Sequence, residues 1–212
     1  MNTPNPAQAA FRNFSLAASG AVLAASAWAA GAAPEGALML DGRLFREEIV
    51  APNEDGIDEG WYEIAVTADA VAVRAVAQPH CGDAVKQDAM YLHLPGAPLS
   101  EGVRINHGFA AEEFRPVAGQ EYRRTLGRTD YSFRVASSPA GTEYVISYDG
   151  KAHRYLLGLP AAATRVHAIV DLDGDRRPDF LVQVGDELFL LMSSGAKPGM
   201  NLPTAQLWAA AD

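Results

Sequence analysis

Two apolar runs, Val166-His167-Ala168-Ile169-Val170 and Phe180-Leu181-Val182-Gln183-Val184, stand on either side of the nine residues Asp171-Leu172-Asp173-Gly174-Asp175-Arg176-Arg177-Pro178-Asp179. A short, nearly continuous β-prone run bounded by turn residues reads as a strand buried on both faces. The acidic segment is therefore a bend held between core strands at the centre of the fold, and Gly185-Asp186 turns the chain into a third such run, Leu188-Phe189-Leu190-Leu191-Met192. From residue 37 onward the apolar residues recur mainly with period two, and helical stripes are scarce. Trp61 to Val66 and Val71 to Val76 read as a hairpin around Asp69, and Tyr131, Phe133 and Val135 point to one face of a further strand. Asp149-Gly150 between Glu143–Tyr148 and Ala152–Leu157 supplies the positive φ that a tight primed turn demands. Pro95 to Pro98 and Lys197 to Pro203 read as loops, and no repeat or long linker is visible. The expected fold is a single mostly β domain over residues 34–212, antiparallel and sandwich- or barrel-like.

Within the bend, carboxylates stand at positions 1, 3, 5 and 9: Asp171, Asp173, Asp175 and Asp179. A hard cation that takes about six to eight oxygens is the common use of such spacing, and calcium fits it better than the smaller, octahedral magnesium. The loop resembles the FG-GAP or VCBS-type calcium motif of integrin α-chain propellers and of many exported bacterial proteins, with an apolar strand following. The resemblance implies that the four aspartates are ligands and that Arg177, held extended by the proline after it, contributes its main-chain oxygen. An EF-hand is excluded, because its twelfth position, which needs a bidentate Glu, is Val182. Arg176 departs from the motif, which usually has Gly there. If that residue needs positive φ, the substitution costs on the order of 1 kcal/mol. A single copy of the loop argues against a propeller.

Composition bears on where such a domain would work. Residues 1–33 contain one charge, Arg12, then an apolar run from Leu16 through Trp28 and the small-residue pattern Ala27-Trp28-Ala29 and Ala30-Gly31-Ala32. These are the parts of a secretory signal peptide cut between about residues 29 and 33; the run is too short and Ala-rich for a stable membrane span. Periplasmic or secreted localisation follows. Without the leader, 16 Lys and Arg face 26 Asp and Glu, a net charge of −10. Such a surface repels phosphate backbones, so nucleic acid is not an expected partner. Cys81 is the only cysteine, so an exported chain of about 180 residues must be held by its core and, we expect, by the metal-clamped bend.

Other constellations carry less. Ser194-Gly195-Ala196-Lys197 matches a Ser-x-x-Lys pattern, but its companion motifs are missing and a turn after a strand is the better reading. His80-Cys81 places an imidazole beside a thiol in sequence, where neighbours seldom face each other. His93, His107, His153 and His167 lack metal-ligand spacing, and Asn53 to Glu59 lacks the even spacing of a second calcium loop. Residues 60 to 210, from Gly60-Trp61-Tyr62 through the acidic loop to Leu188–Ser194, resemble a group of exported bacterial proteins to which no reaction attaches. The expected function is an interaction module of the envelope or exterior, with a protein or carbohydrate ligand, no catalytic residues and structural calcium. Two alternatives stand beside it: an exported hydrolase using an acidic cleft or the Cys81 thiol, and a purely structural calcium-stabilised protein. Exposed Trp61 and Tyr62 in an aromatic groove would favour ligand binding.

Overall fold

The alternating runs form fourteen strands in the computed structural model, which describes residues 36–53, 56–76, 85–108 and 114–208. Residues 1–33, expected above to be a signal peptide, and His80 and Cys81 lie outside the described residues. In chain order the strands are β1 (Leu38–Asp41), β2 (Trp61–Val66), β3 (Ala70–Ala75), β4 (Met90–His93), β5 (Gly102–Ile105), β6 (Glu121–Leu126) and β7 (Thr129–Ser138). They continue as β8 (Gly141–Tyr148), β9 (Lys151–Leu157), β10 (Thr164–Val170), β11 (Asp179–Val184), β12 (Glu187–Leu191), β13 (Gly199–Asn201) and β14 (Ala205–Trp208). Nine strands, in the order β10-β11-β12-β14-β1-β4-β2-β3-β5, curl into a nearly closed barrel, and β13-β9-β8-β7-β6 make a second sheet. The expected all-β class holds. The pairing is antiparallel except where late strands return beside early ones: β14 runs parallel to β1 and β13 parallel to β9.

Each expected hairpin forms. β2 pairs with β3 across the Asp69 turn, and β8 with β9 across Asp149-Gly150, whose φ values are 50° and 69°. β10, β11 and β12 are the strands flanking the acidic bend, and they are buried on both faces. Val166, Ile169, Phe180, Val182, Phe189 and Leu191 pack against Tyr131, Phe133 and Tyr144 of the second sheet. Ala168, Val170, Leu181, Leu190 and Met192 fill the barrel with Met39, Ile64, Val71 and Leu92. Val166 and Ile169 share a face despite their odd separation because the register slips at His167, a β-bulge.

Two features depart from the sequence reading. Lys197 to Pro203 is not all loop: Asn201 accepts the Lys197 N–H at 2.8 Å and donates to the Lys197 and Gly199 carbonyls, shaping β13 to pair with β9. The chain also contains a helical segment, α1 (Gly42–Leu44), widening into a π-type turn over Phe45–Val50. Asp41 caps it by accepting the Leu44 N–H at 2.7 Å. Gly42 lets the backbone pass Lys86, since a Cβ there would lie 2.1 Å from the Lys86 carbonyl oxygen. Phe45 stacks on Tyr91 with ring centroids 3.9 Å apart and meets Trp61 edge-on. Trp61 is therefore a core residue under the helix and lines no open groove, while Tyr62 is half-buried.

Candidate metal centre

Eight residues join two strands that must stay paired, so the chain between Val170 and Asp179 folds back tightly, and its own carboxylates satisfy its N–H groups. Asp171 accepts from Gly174 N at 2.7 Å and from Arg176 N at 3.1 Å. Asp173 accepts from Asp175 N at 3.1 Å, and Asp175 from Arg177 N at 2.8 Å. Gly174 has φ +87°, which favours glycine, and a Cβ there would fall 2.8 Å from the Ser100 Oγ, which would have to turn aside. The 95–100 loop is tied down at that point by Ser100 N donating to the Leu172 carbonyl at 2.8 Å. Arg176 also has positive φ, +66°, a conformation that favours glycine and strains an L-residue.

This folding brings oxygens of Asp171, Asp173 and Asp179 within 4.8 Å of one another, a group able to hold a metal ion. Asp171 and Asp173 are partly exposed, whereas Asp179 is 0% exposed. Asp179 opens β11, and its carboxylate is gripped by Leu172 N at 2.8 Å, Ser193 N at 2.8 Å and Ser193 Oγ at 2.9 Å. Burial pushes the Asp179 carboxyl well above the ordinary carboxylate value, and the nearby charge of Asp173 pushes the same way; the donors from Ser193 and Leu172 oppose them. Asp175 stands beside the triad, 3.3 Å from the same Ser193 hydroxyl. Burial raises its carboxyl too, with the charges of Asp173 and Asp171 adding to the shift.

Arg177 reaches out of the loop to the neighbouring hairpin. Its Nε donates to Asp149 at 2.9 Å, Nη1 lies 3.7 Å from Asp175, and the guanidinium sits 5.8 Å from the Tyr148 ring centre. The loop is thus tied to the turn of the second sheet. No protein-family model, curated protein or solved structure matches this chain. The chemistry must be read from the geometry alone.

Three carboxylates this close repel by on the order of 3 kcal/mol per ionised pair at an effective dielectric near 20, and one divalent ion reverses the sign of that interaction. Among the described residues no cationic side chain pairs with Asp179. Ser193 went unnoticed in the sequence, where Ser194 drew attention through its Ser-x-x-Lys spacing; Ser194 lies in the turn that follows β12, closed by Ala196 N donating to Ser193 O at 3.1 Å. The signal for Ser193 was its place, a polar residue immediately after the buried run ending at Met192. Among the other histidines, His153 is buried and stacks on Tyr148 at 4.3 Å, and His167 at the bulge lies 3.1 Å from the Gln183 side-chain oxygen.

Proposed function

We propose that the Asp171–Asp179 loop is a calcium site of the FG-GAP or VCBS type, and that the protein is an exported interaction module of the cell envelope or exterior in which the ion is a structural staple. The observation that carries this reading is the fully buried Asp179 carboxylate, converging with Asp171 and Asp173 and lacking a cationic partner among the described residues. A calcium ion supplies the missing positive charge. Asp171, Asp173 and Asp175 would give one oxygen each, Arg177 its carbonyl and Asp179 two, and water completes about seven. Oδ2 of Asp179 meets one donor, Leu172 N, and keeps a lone pair for this role, whereas Oδ1 accepts both Ser193 donors and would be freed for the ion if the Ser193 hydroxyl turned to Asp175, 3.3 Å away.

Such an ion would join β10, β11 and the turn after β12 where the two cores meet, so its effect should appear as global stability. At calcium about a hundredfold above the dissociation constant, the folded state gains about 2.7 kcal/mol. Melting curves in calcium, magnesium and EDTA test this directly. Calcium should raise the wild-type melting temperature clearly more than magnesium does, and Asp173→Asn should remove the difference. Identical wild-type curves in calcium and EDTA would reduce the loop to a turn. Export is tested separately: intact mass of the protein recovered from its own cell should show a start between residues 30 and 34. No helix among the described residues is long and apolar enough to cross a membrane.

A further inference from the structure

Among the described residues, β5 is the less protected edge of the nine-stranded sheet. The other edge of that sheet, β10, is covered: Val166 N donates to Phe114 O, His107 N donates to Ile169 O, and Asn106 accepts the Ile169 N–H. In the second sheet, β6 carries the Arg123–Glu121 ion pair, the usual guard against edge pairing. β5 instead presents Val103 and Ile105, 76% and 70% exposed. Asn106 N donates to Asp69 O at 2.9 Å, directly opposite in the β3–β5 register. Antiparallel alternation then turns the N–H and C=O of Arg104 toward β3 and those of Val103 and Ile105 outward. Beyond this edge lies a cleft of about 600 Å³, bounded by the β6–β7 turn with Arg128 and by Asp171 and Arg176 of the acidic loop. Arg104 faces the opposite side of the strand from Val103 and Ile105, and its Nε is buried without a hydrogen-bond partner. Three arginines and one carboxylate thus line this cleft in a chain whose net charge is −9.

We propose that this cleft docks an extended acidic peptide segment of a partner protein, which adds as a strand to the free edge of β5. On a paired strand alternate side chains face opposite sides. Acidic residues of the incoming segment would meet the positive charges of Arg104, Arg128 and Arg176, while the intervening apolar residues cover Val103 and Ile105. Charge argues against a second copy as the occupant, since β5 pairing with itself would bring two sets of arginines together. This gives the interaction-module reading a surface and a partner class. The metal is tested by melting, so failure of the groove and failure of the calcium site appear in different experiments.

The test uses a short fluorescein-labelled peptide of alternating Asp and Val, with its Lys and Val counterpart as control, titrated with the full mature chain by anisotropy in calcium-containing buffer. The acidic peptide should bind saturably and the basic one should not. Val103→Pro, which removes an outward N–H, and Arg128→Glu, on an exposed turn, should each weaken binding by about tenfold or more. Hydrogen exchange of the Val103 and Ile105 amides in the wild type should slow when the acidic peptide is added, which reads the edge pairing even if the proline variant loses its fold. The proposal is overturned by equal affinity for the two peptides, by affinity that survives Arg128→Glu, by exchange at β5 that the peptide leaves unchanged, or by a β5-dependent dimer in sedimentation.

Discussion

Arg176 holds φ at +66° at the apex of the acidic loop, and its side chain is exposed. The left-handed conformation costs an L-residue about 1 to 2 kcal/mol, partly offset in the comparison with glycine by the latter's greater unfolded-state freedom. Arg176→Gly should therefore stabilise the metal-free protein by up to about 1 kcal/mol, measured by denaturant midpoint in EDTA. An unchanged or lower midpoint would mean that the arginine's own contacts outweigh the strain. Ser193 is the opposite kind of residue, inconspicuous in sequence and central in contact. Its N–H and hydroxyl both meet Asp179, and the hydroxyl also stands within reach of Asp175. Ser193→Ala leaves a fully buried carboxylate short of one donor, which should cost about 1 to 3 kcal/mol. The same change should weaken calcium binding measured by calorimetry, because the Asp179 ligand loses a restraint on its position.

Asn106, just past the end of β5, stitches the barrel where its sheet would otherwise stay open. Its Nδ2 donates to the carbonyls of Thr67 and His167 at 3.1 and 3.0 Å, and its Oδ1 accepts from Gly108 N and Ile169 N. The two β10 groups that it meets, His167 O and Ile169 N, lie at and just beyond the bulge. With donors and acceptors of three separate segments left unpaired, Asn106→Ala should cost about 3 kcal/mol or more. Hydrogen exchange locates the damage: amides of β5 and β10 should exchange faster, while those of the β7–β8 pairing stay protected. If β7 and β8 open equally in that variant, the barrel seam and the second sheet unfold as one cooperative unit.

Across the whole molecule, β10, β11 and β12 belong to both cores, so whatever stiffens the acidic loop is felt by each. A third cluster closes the far side, where the helical segment from Gly42 lays Phe45 on Tyr91 and Trp61. On β2, two residues from Trp61, Glu63 is 6% exposed, and it accepts from Arg74 Nη2 and Lys86 Nζ, each at 2.7 Å. Burial alone would raise this carboxyl, but the hydrogen bonds and charges of Lys86 and Arg74 together outweigh it and hold the group below its ordinary value of 4.5. A depressed carboxylate contributes stability that is present above the unfolded value and disappears as the pH falls through the folded one. Wild-type stability should accordingly decline as the pH drops below that ordinary value, and Glu63→Gln should flatten this part of the acid limb. An acid limb equally steep in the variant would assign it to other carboxylates.

What the order of residues determined by itself is what neighbours can enforce. Period-two burial marks β7 through Tyr131, Phe133 and Val135, the Asp149-Gly150 turn needs only two dihedrals, and the bend keeps all its carboxylates within nine residues. That the bend joins buried strands was readable from the apolar runs beside it, although its own tip at Gly174, Arg176 and Arg177 lies exposed. Tertiary structure decided the rest. The short helical segment has no repeating stripe to reveal it and depends on Tyr91 and on the passage of Gly42 under Lys86. Ser193 finds Asp179 from 14 residues away, and Asn106 finds His167 and Ile169 from 61 and 63. The parallel pairings of β14 with β1 and β13 with β9 likewise join distant segments. Local dihedral preference and side-chain alternation act along the chain, whereas these contacts exist only once the intervening loops have closed and the cores have packed.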